Sequence, residues 1–124
     1  MNKIKAFFKL VRWTNLLIIA MMMCLVNYCL MSPLHTSGIV GAVPSLPAFL
    51  LLVISLVFIV AGGYVINDCF DVETDKINKP NKLIAGNVFT DKEIMFFYKS
   101  LTFIGLLAGL ASSVMLMGVK FVTL

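Results

Sequence analysis

Three long apolar runs, Trp13–Met31, Leu46–Ile66 and Ser100–Val119, alternate with segments that hold every Asp, Glu, Lys and Arg of the chain. Each run is 19–21 residues long, enough at ~1.5 Å per residue to cross a ~30 Å hydrocarbon core as a helix. None shows the period-two alternation of a barrel strand, and a bilayer interior admits only helices or closed barrels. The pattern predicts an all-α polytopic membrane helix bundle: three transmembrane helices forming a single membrane domain over residues 1–124. Pro44 and Pro47 flank the start of the second helix, where proline is tolerated. Thr90-Asp91-Lys92-Glu93 is a capping-box sequence, so the third helix begins near Asp91 and the three helices cover about 13–31, 46–66 and 91–119.

Composition agrees with that reading and excludes a soluble domain. Of 124 residues, 60% are hydrophobic and 13% charged, and mean hydropathy is +1.01. A chain this short cannot hide so much apolar surface from water. The net charge of +4 matters less than its distribution. Lys3, Lys5, Lys9 and Arg12 lie in the N-terminal tail, and Lys76, Lys79, Lys82 and Lys92 lie in the segment 67–93. The first loop, Ser32–Ser45, has neither Lys nor Arg; His35 is its one ionisable side chain and reads as a solvated loop residue. By the positive-inside rule the tail and the 67–93 loop are cytoplasmic, with Trp13 as an interfacial anchor. The expected location is an integral membrane protein of a bacterial inner membrane. A cleaved signal peptide is disfavoured, because no small-x-small site closes the first run. No basic, aromatic-interleaved patch lies outside the membrane, which argues against a nucleic-acid partner. Cys24, Cys29 and Cys69 read as small hydrophobes. Neighbouring carboxylates disfavour a Cys69 thiolate.

The chemistry concentrates in Asn67-Asp68-Cys69-Phe70-Asp71-Val72-Glu73-Thr74-Asp75, directly after the second apolar run. On a helix, positions 68, 71 and 75 fall within an arc of about 60°, with Asn67 about 40° beyond it and Glu73 on the opposite side. Three crowded carboxylates repel one another unless a cation joins them. A hard, all-oxygen donor set calls for Mg²⁺, which takes one or two carboxylates and completes its shell with water and substrate phosphate. Lys76-Ile77-Asn78-Lys79-Pro80-Asn81-Lys82 follows at once and places cations beside the anions. That pairing suits a magnesium-bridged diphosphate at a membrane surface, with Asn67 as a neutral hydrogen-bonding partner.

Asn67-Asp68-x-x-Asp71-x-x-x-Asp75 followed by Asn78-Lys79-Pro80 resembles the first aspartate-rich signature of the UbiA superfamily of intramembrane prenyltransferases. Gly62-Gly63-Tyr64-Val65-Ile66 before it, and Arg12-Trp13-Thr14-Asn15 at the first helix, extend the resemblance over essentially the whole chain. The resemblance implies a bundle of about nine transmembrane helices with a cytoplasmic-side site. There a polyprenyl diphosphate is held through Mg²⁺ by two aspartate-rich motifs, one in each half. Carried across, it makes Asp68, Asp71 and Asp75 metal ligands, and Asn67, Lys79, Lys82 and Asn15 substrate-binding residues. Lys79 and Lys82 stand where arginine is common, so a point charge replaces a bidentate fork. Leu83 and Trp13 stand where the family usually has proline. The first helix and the Lys76–Leu83 run are similar to members labelled geranylgeranylglycerol-phosphate geranylgeranyltransferase, which implies a glycerophosphate lipid acceptor, with aromatic quinone precursors second. No general base is identifiable. The chain resembles the N-terminal third of such an enzyme, lacking the second motif, and is expected to be inactive alone; a fragment, a truncated gene product and a degenerate copy all fit.

Two rival readings belong to other classes. Gly105 and Gly109, with Ser112 and Ser113, form a small-residue face suited to close helix approach, so the chain also reads as a non-catalytic small membrane protein that binds partner helices through that face. A cation transporter using the aspartates as a relay places acidic residues at mid-membrane depth, whereas these lie at a helix end.

Overall fold

A computed structural model describes residues 2–39, 43–72, 77, 84 and 88–122. The chain opens with α1 (Lys3–Leu10) and turns at Val11-Arg12 into α2 (Trp13–Leu25). A π-helical turn (Val26–Met31) and α3 (Ser32–Thr36) continue the same rod, so the first candidate span is unbroken from Trp13 to Thr36. The chain returns through α4 (Leu46–Phe70) and leaves again through α5 (Asp91–Val122). All three rods are long and apolar enough to cross a membrane. Pro47 lies in the first turn of α4, as expected.

The N-terminal tail, read from sequence only as charge, is a helix. Asn2 caps it, accepting from the Ile4 backbone N–H at 3.3 Å. Ala6 and Leu10 are fully buried against Val65, Ile84, Phe89 and Ile94. Phe7 meets the edge of Phe97 at 5.1 Å, and Phe97 meets Phe89 at 5.3 Å. Lys3 Nζ closes the contact with an ion pair to Glu93 Oε1 at 2.9 Å. Glu93 is itself part of the expected capping box: its carboxylate accepts from the Thr90 N–H at 2.9 Å, and its own N–H donates to Thr90 Oγ1 at 3.3 Å. The main core therefore lies at the end of the bundle that carries the acidic motif, while α2 buries no residue at all. Met21 is 64% exposed and Leu17 53% exposed, a surface suited to lipid or to neighbouring helices rather than to water.

Helix ends differ from the sequence boundaries by about one turn. The first rod passes Met31 and reaches Thr36, so His35 sits in a last helical turn instead of a loop. Pro33 lies in α3, and a proline there lacks the N–H and crowds the carbonyl one turn back. The preceding π turn, with the Ser32 N–H bonded to the Asn27 carbonyl, widens the helix just before it. The second helix continues past Ile66 to Phe70, which carries Asn67 and Asp68 as helical residues.

The tightest packing joins α4 and α5 through small residues. A Cβ added at Gly105 would stand 2.7 Å from Ile59 Cγ1 and 3.0 Å from the Ser55 carbonyl oxygen. One at Gly109 would stand 2.8 Å from Ser55 Oγ, and one at Gly62 2.7 Å from Thr102 Oγ1. Buried Ser112 donates from Oγ to the Ala48 carbonyl at 2.8 Å. The Gly105/Gly109 face is thus occupied within the chain by α4. This corrects the expectation that it is offered to partner helices.

Candidate metal and diphosphate site

The last turn of α4 carries Asn67 and Asp68, and Asp71 caps it with a helical backbone, its N–H bonded to the Asn67 carbonyl at 3.0 Å. Because α4 runs through Asn67 to Phe70 and Asp71 keeps a helical backbone, Asn67 and Asp71 stand one turn apart on one side. Asn67 Nδ2 donates to Asp71 Oδ2 at 2.7 Å. Asp68 follows around the same end and meets Arg12, whose Nη2 lies 3.0 Å from Asp68 Oδ1. The Arg12 guanidinium also covers the Tyr64 ring, with Cζ 4.9 Å from the centroid, a favourable cation–π placement.

Electrostatically this is a poor place for carboxylates. A helix C-terminus carries partial negative charge, and an acidic group in the last turn costs about 0.3–1 kcal/mol at exposed sites. No basic residue of α4 offsets it; the compensating cation comes from 56 positions earlier in the chain. Arg12 reaches Asp68 from a backbone at φ 53, ψ 53, the left-handed region, where a non-glycine residue costs about 1–2 kcal/mol. Strain at the α1–α2 turn and repulsion at the α4 end are accepted together, and both position the same ion pair. Arg12→Gly is therefore expected to be more stable than Arg12→Ala by about 1 kcal/mol, since both lose the pair but only glycine relieves the backbone. Thermal unfolding of the two variants in detergent checks this order.

Asp68 and Asp71 bring hard oxygen donors to one helix end with the Asn67 amide beside Asp71, a set that fits Mg²⁺ sharing its shell with phosphate oxygens. Part of each carboxylate is already engaged, by Arg12 and by Asn67. Among the described residues no three His, Cys, Asp or Glu side chains gather at a metal-binding distance. Asp75, the third expected ligand, lies outside the described residues, as do Lys79, Lys82 and Glu73.

Asn15 is exposed and makes no side-chain hydrogen bond to Asn67, Asp68 or Asp71. It lines an open concavity of about 550 Å³ with Arg12, Trp13, Lys5, Phe8 and Lys9, so it is next to the ion-paired arginine without touching the aspartates. Arg12 and Tyr64 are the site residues that sequence reading missed. The signal was available for Arg12: it is the single arginine of the chain, the one side chain able to fork onto a carboxylate. Cys69 packs against the core, in keeping with its reading as a small hydrophobe. Met23 and Met31 line a second cavity of about 450 Å³ with Asn27, Pro44, Phe49 and Leu116, at the opposite end of the bundle. Phe70 is 79% exposed.

Comparison with known proteins gives this end of the bundle a context. Residues 36–124 match the UbiA prenyltransferase family. The chain is similar to proteins named digeranylgeranylglyceryl phosphate synthase: that of Hyperthermus butylicus is 30% identical over 112 residues, 90% of this chain and 35% of the relative. That of Pyrococcus horikoshii is 37% identical over 83 residues, 60% of this chain and 30% of the relative. That of Sulfurisphaera tokodaii is 46% identical over 59 residues, 47% and 19% respectively. These relatives are archaeal, which lends no support to the expected bacterial membrane. The matches span about a fifth to a third of the relatives' length. No solved structure matches the chain. With the family match covering most of the sequence and the Asn67–Asp71 motif held at a helix end, this chain belongs to the UbiA prenyltransferase family.

Proposed function

We propose that the chain forms one half of a magnesium-dependent prenyltransferase site, which moves a prenyl group from a polyprenyl diphosphate to a phosphorylated glycerol lipid in the bilayer. The observation that carries the reading is the clustering of Asn67, Asp68 and Asp71 on the end of an apolar helix, against the stability cost of placing acids there. Asp68, Asp71 and Asp75 would hold Mg²⁺, which would supply positive charge to a diphosphate leaving group. Asn67, Lys79 and Lys82 hold phosphate oxygens, and Asn15 lines the approach from the first helix. An apolar surround would keep water from the allylic cation until the acceptor hydroxyl oxygen captures it and passes its proton to the released diphosphate. Further transmembrane helices, packed on the lipid-bare α2 face, supply the second aspartate motif that the family resemblance implies. The tail and the 67–93 loop are cytoplasmic, on the Lys/Arg distribution.

The lipid acceptor is preferred over an aromatic one because the relatives are named for digeranylgeranylglyceryl phosphate. Membranes holding the chain with the helices that complete it are expected to label geranylgeranylglyceryl phosphate from radiolabelled geranylgeranyl diphosphate, and the 124-residue chain alone to give no product. Label appearing only on an aromatic acid contradicts the acceptor; robust product from the chain alone contradicts the half-site.

A further inference from the structure

We propose that α1 is a docking element for anionic bilayer lipid, in which Lys5 and Lys9, beside Phe8 and Trp13, receive the phosphate of a phospholipid headgroup at the membrane surface. One arc of α1 (Ala6, Phe7, Leu10) is committed to the core. The opposite arc presents Ile4, Phe8, Lys5 and Lys9 together, with Ile4 64% and Phe8 53% exposed. Large apolar groups interleaved with lysine on one exposed helix face are the composition of helices that lie in the headgroup layer.

The cations of α1 and the turn after it divide by partner. Lys3 is held by Glu93 and Arg12 by Asp68. Lys5 and Lys9 have no ion-pair partner among the described residues, although they stand one turn apart on the same face. Like charges so placed are mutually destabilising, and an anion between them removes the penalty. Both line the open concavity beside Trp13, and the described lining contains no acidic side chain. Trp13 begins the first candidate span, so a membrane crossed by that span would have the concavity at its headgroup level, where interfacial aromatics sit. Charge, depth and the aromatic–lysine alternation together favour a membrane lipid over a soluble acidic partner.

The test needs neither turnover nor a prenyl diphosphate, so its failure leaves the transferase reading untouched. Trp13 is the single tryptophan of the chain, and its fluorescence reports the local lipid. The full chain is placed in phosphatidylcholine vesicles with a minority of phosphatidylglycerol, and bromine is carried on the acyl chains of one lipid or the other at equal total content. Brominated phosphatidylglycerol is expected to quench Trp13 several-fold more than its mole fraction predicts, because each lysine beside an anionic surface strengthens association about fivefold. Lys5→Gln/Lys9→Gln is expected to abolish that preference at unchanged helix content, and Lys5→Arg/Lys9→Arg to keep it. Equal quenching by the two lipids, or a preference that survives the glutamine pair, overturns the proposal. Loss of the preference on adding millimolar inorganic phosphate, against chloride at matched ionic strength, assigns the site to a free anion and also overturns it.

Discussion

Asp68→Ala is expected to lower magnesium-dependent prenyl transfer by at least about 10²-fold, the scale of deleting one preorganised electrostatic partner of a reacting group, while Glu73→Ala keeps most of the activity. The asymmetry follows from the helix. Asp68 is at the α4 end beside Asp71 and Asn67, and its loss removes a proposed metal ligand and leaves Arg12 without its carboxylate. Helical spacing in the sequence sets Glu73 about 140° around from Asp68, off the face expected to carry the metal. The comparison is made as initial rates at saturating Mg²⁺, in membranes that hold the chain with the helices completing the site. Equal losses from the two variants would refute the one-face assignment.

Gly105→Ala is expected to destabilise the bundle by about 1–3 kcal/mol, the usual cost of overpacking a well-fitted contact, whereas Gly63→Ala is neutral or slightly stabilising. At Gly105 a methyl meets Ile59 and the Ser55 backbone at once, and backbone does not yield cheaply. At Gly63 nothing lies within 4 Å, so only the higher helix propensity of alanine acts, worth up to about 1 kcal/mol. Unfolding midpoints in mixed detergent resolve the two. Gly105→Ala with an unchanged midpoint would mean that α4 and α5 do not approach as closely as described. The position also separates the readings of the small-residue face. A chain that used Gly105 for partner helices would lose association while keeping its own fold.

The three spanning helices were legible because a bilayer imposes a length and a polarity that few other sequences meet. The capping box at Thr90 was legible because its chemistry is local: two residues three apart satisfy each other's orphan N–H groups. The clustering of Asn67 and Asp71 was legible for the same reason, being a consequence of helical spacing alone. What escaped the sequence reading depends on contacts between distant positions. In sequence Arg12 is one more orientation charge, and its pairing with Asp68 appears only once α1 turns sharply into α2 and α4 returns beside it. The amphipathic character of α1 was hidden by brevity, since eight residues give two turns of periodicity and its three lysines dominate the eye. The first helix ran past its expected end because the π turn, which accommodates Pro33, leaves no mark in composition.

The proposed role of the carboxylates at the α4 end is to hold a divalent cation together with a diphosphate. Its most direct test is the binding of geranylgeranyl diphosphate to the chain in nanodiscs, titrated with Mg²⁺. Binding that strengthens with Mg²⁺, reverses with chelator and disappears in Asp68→Asn/Asp71→Asn is the predicted result. Binding indifferent to Mg²⁺, or undiminished in that double variant, would contradict it.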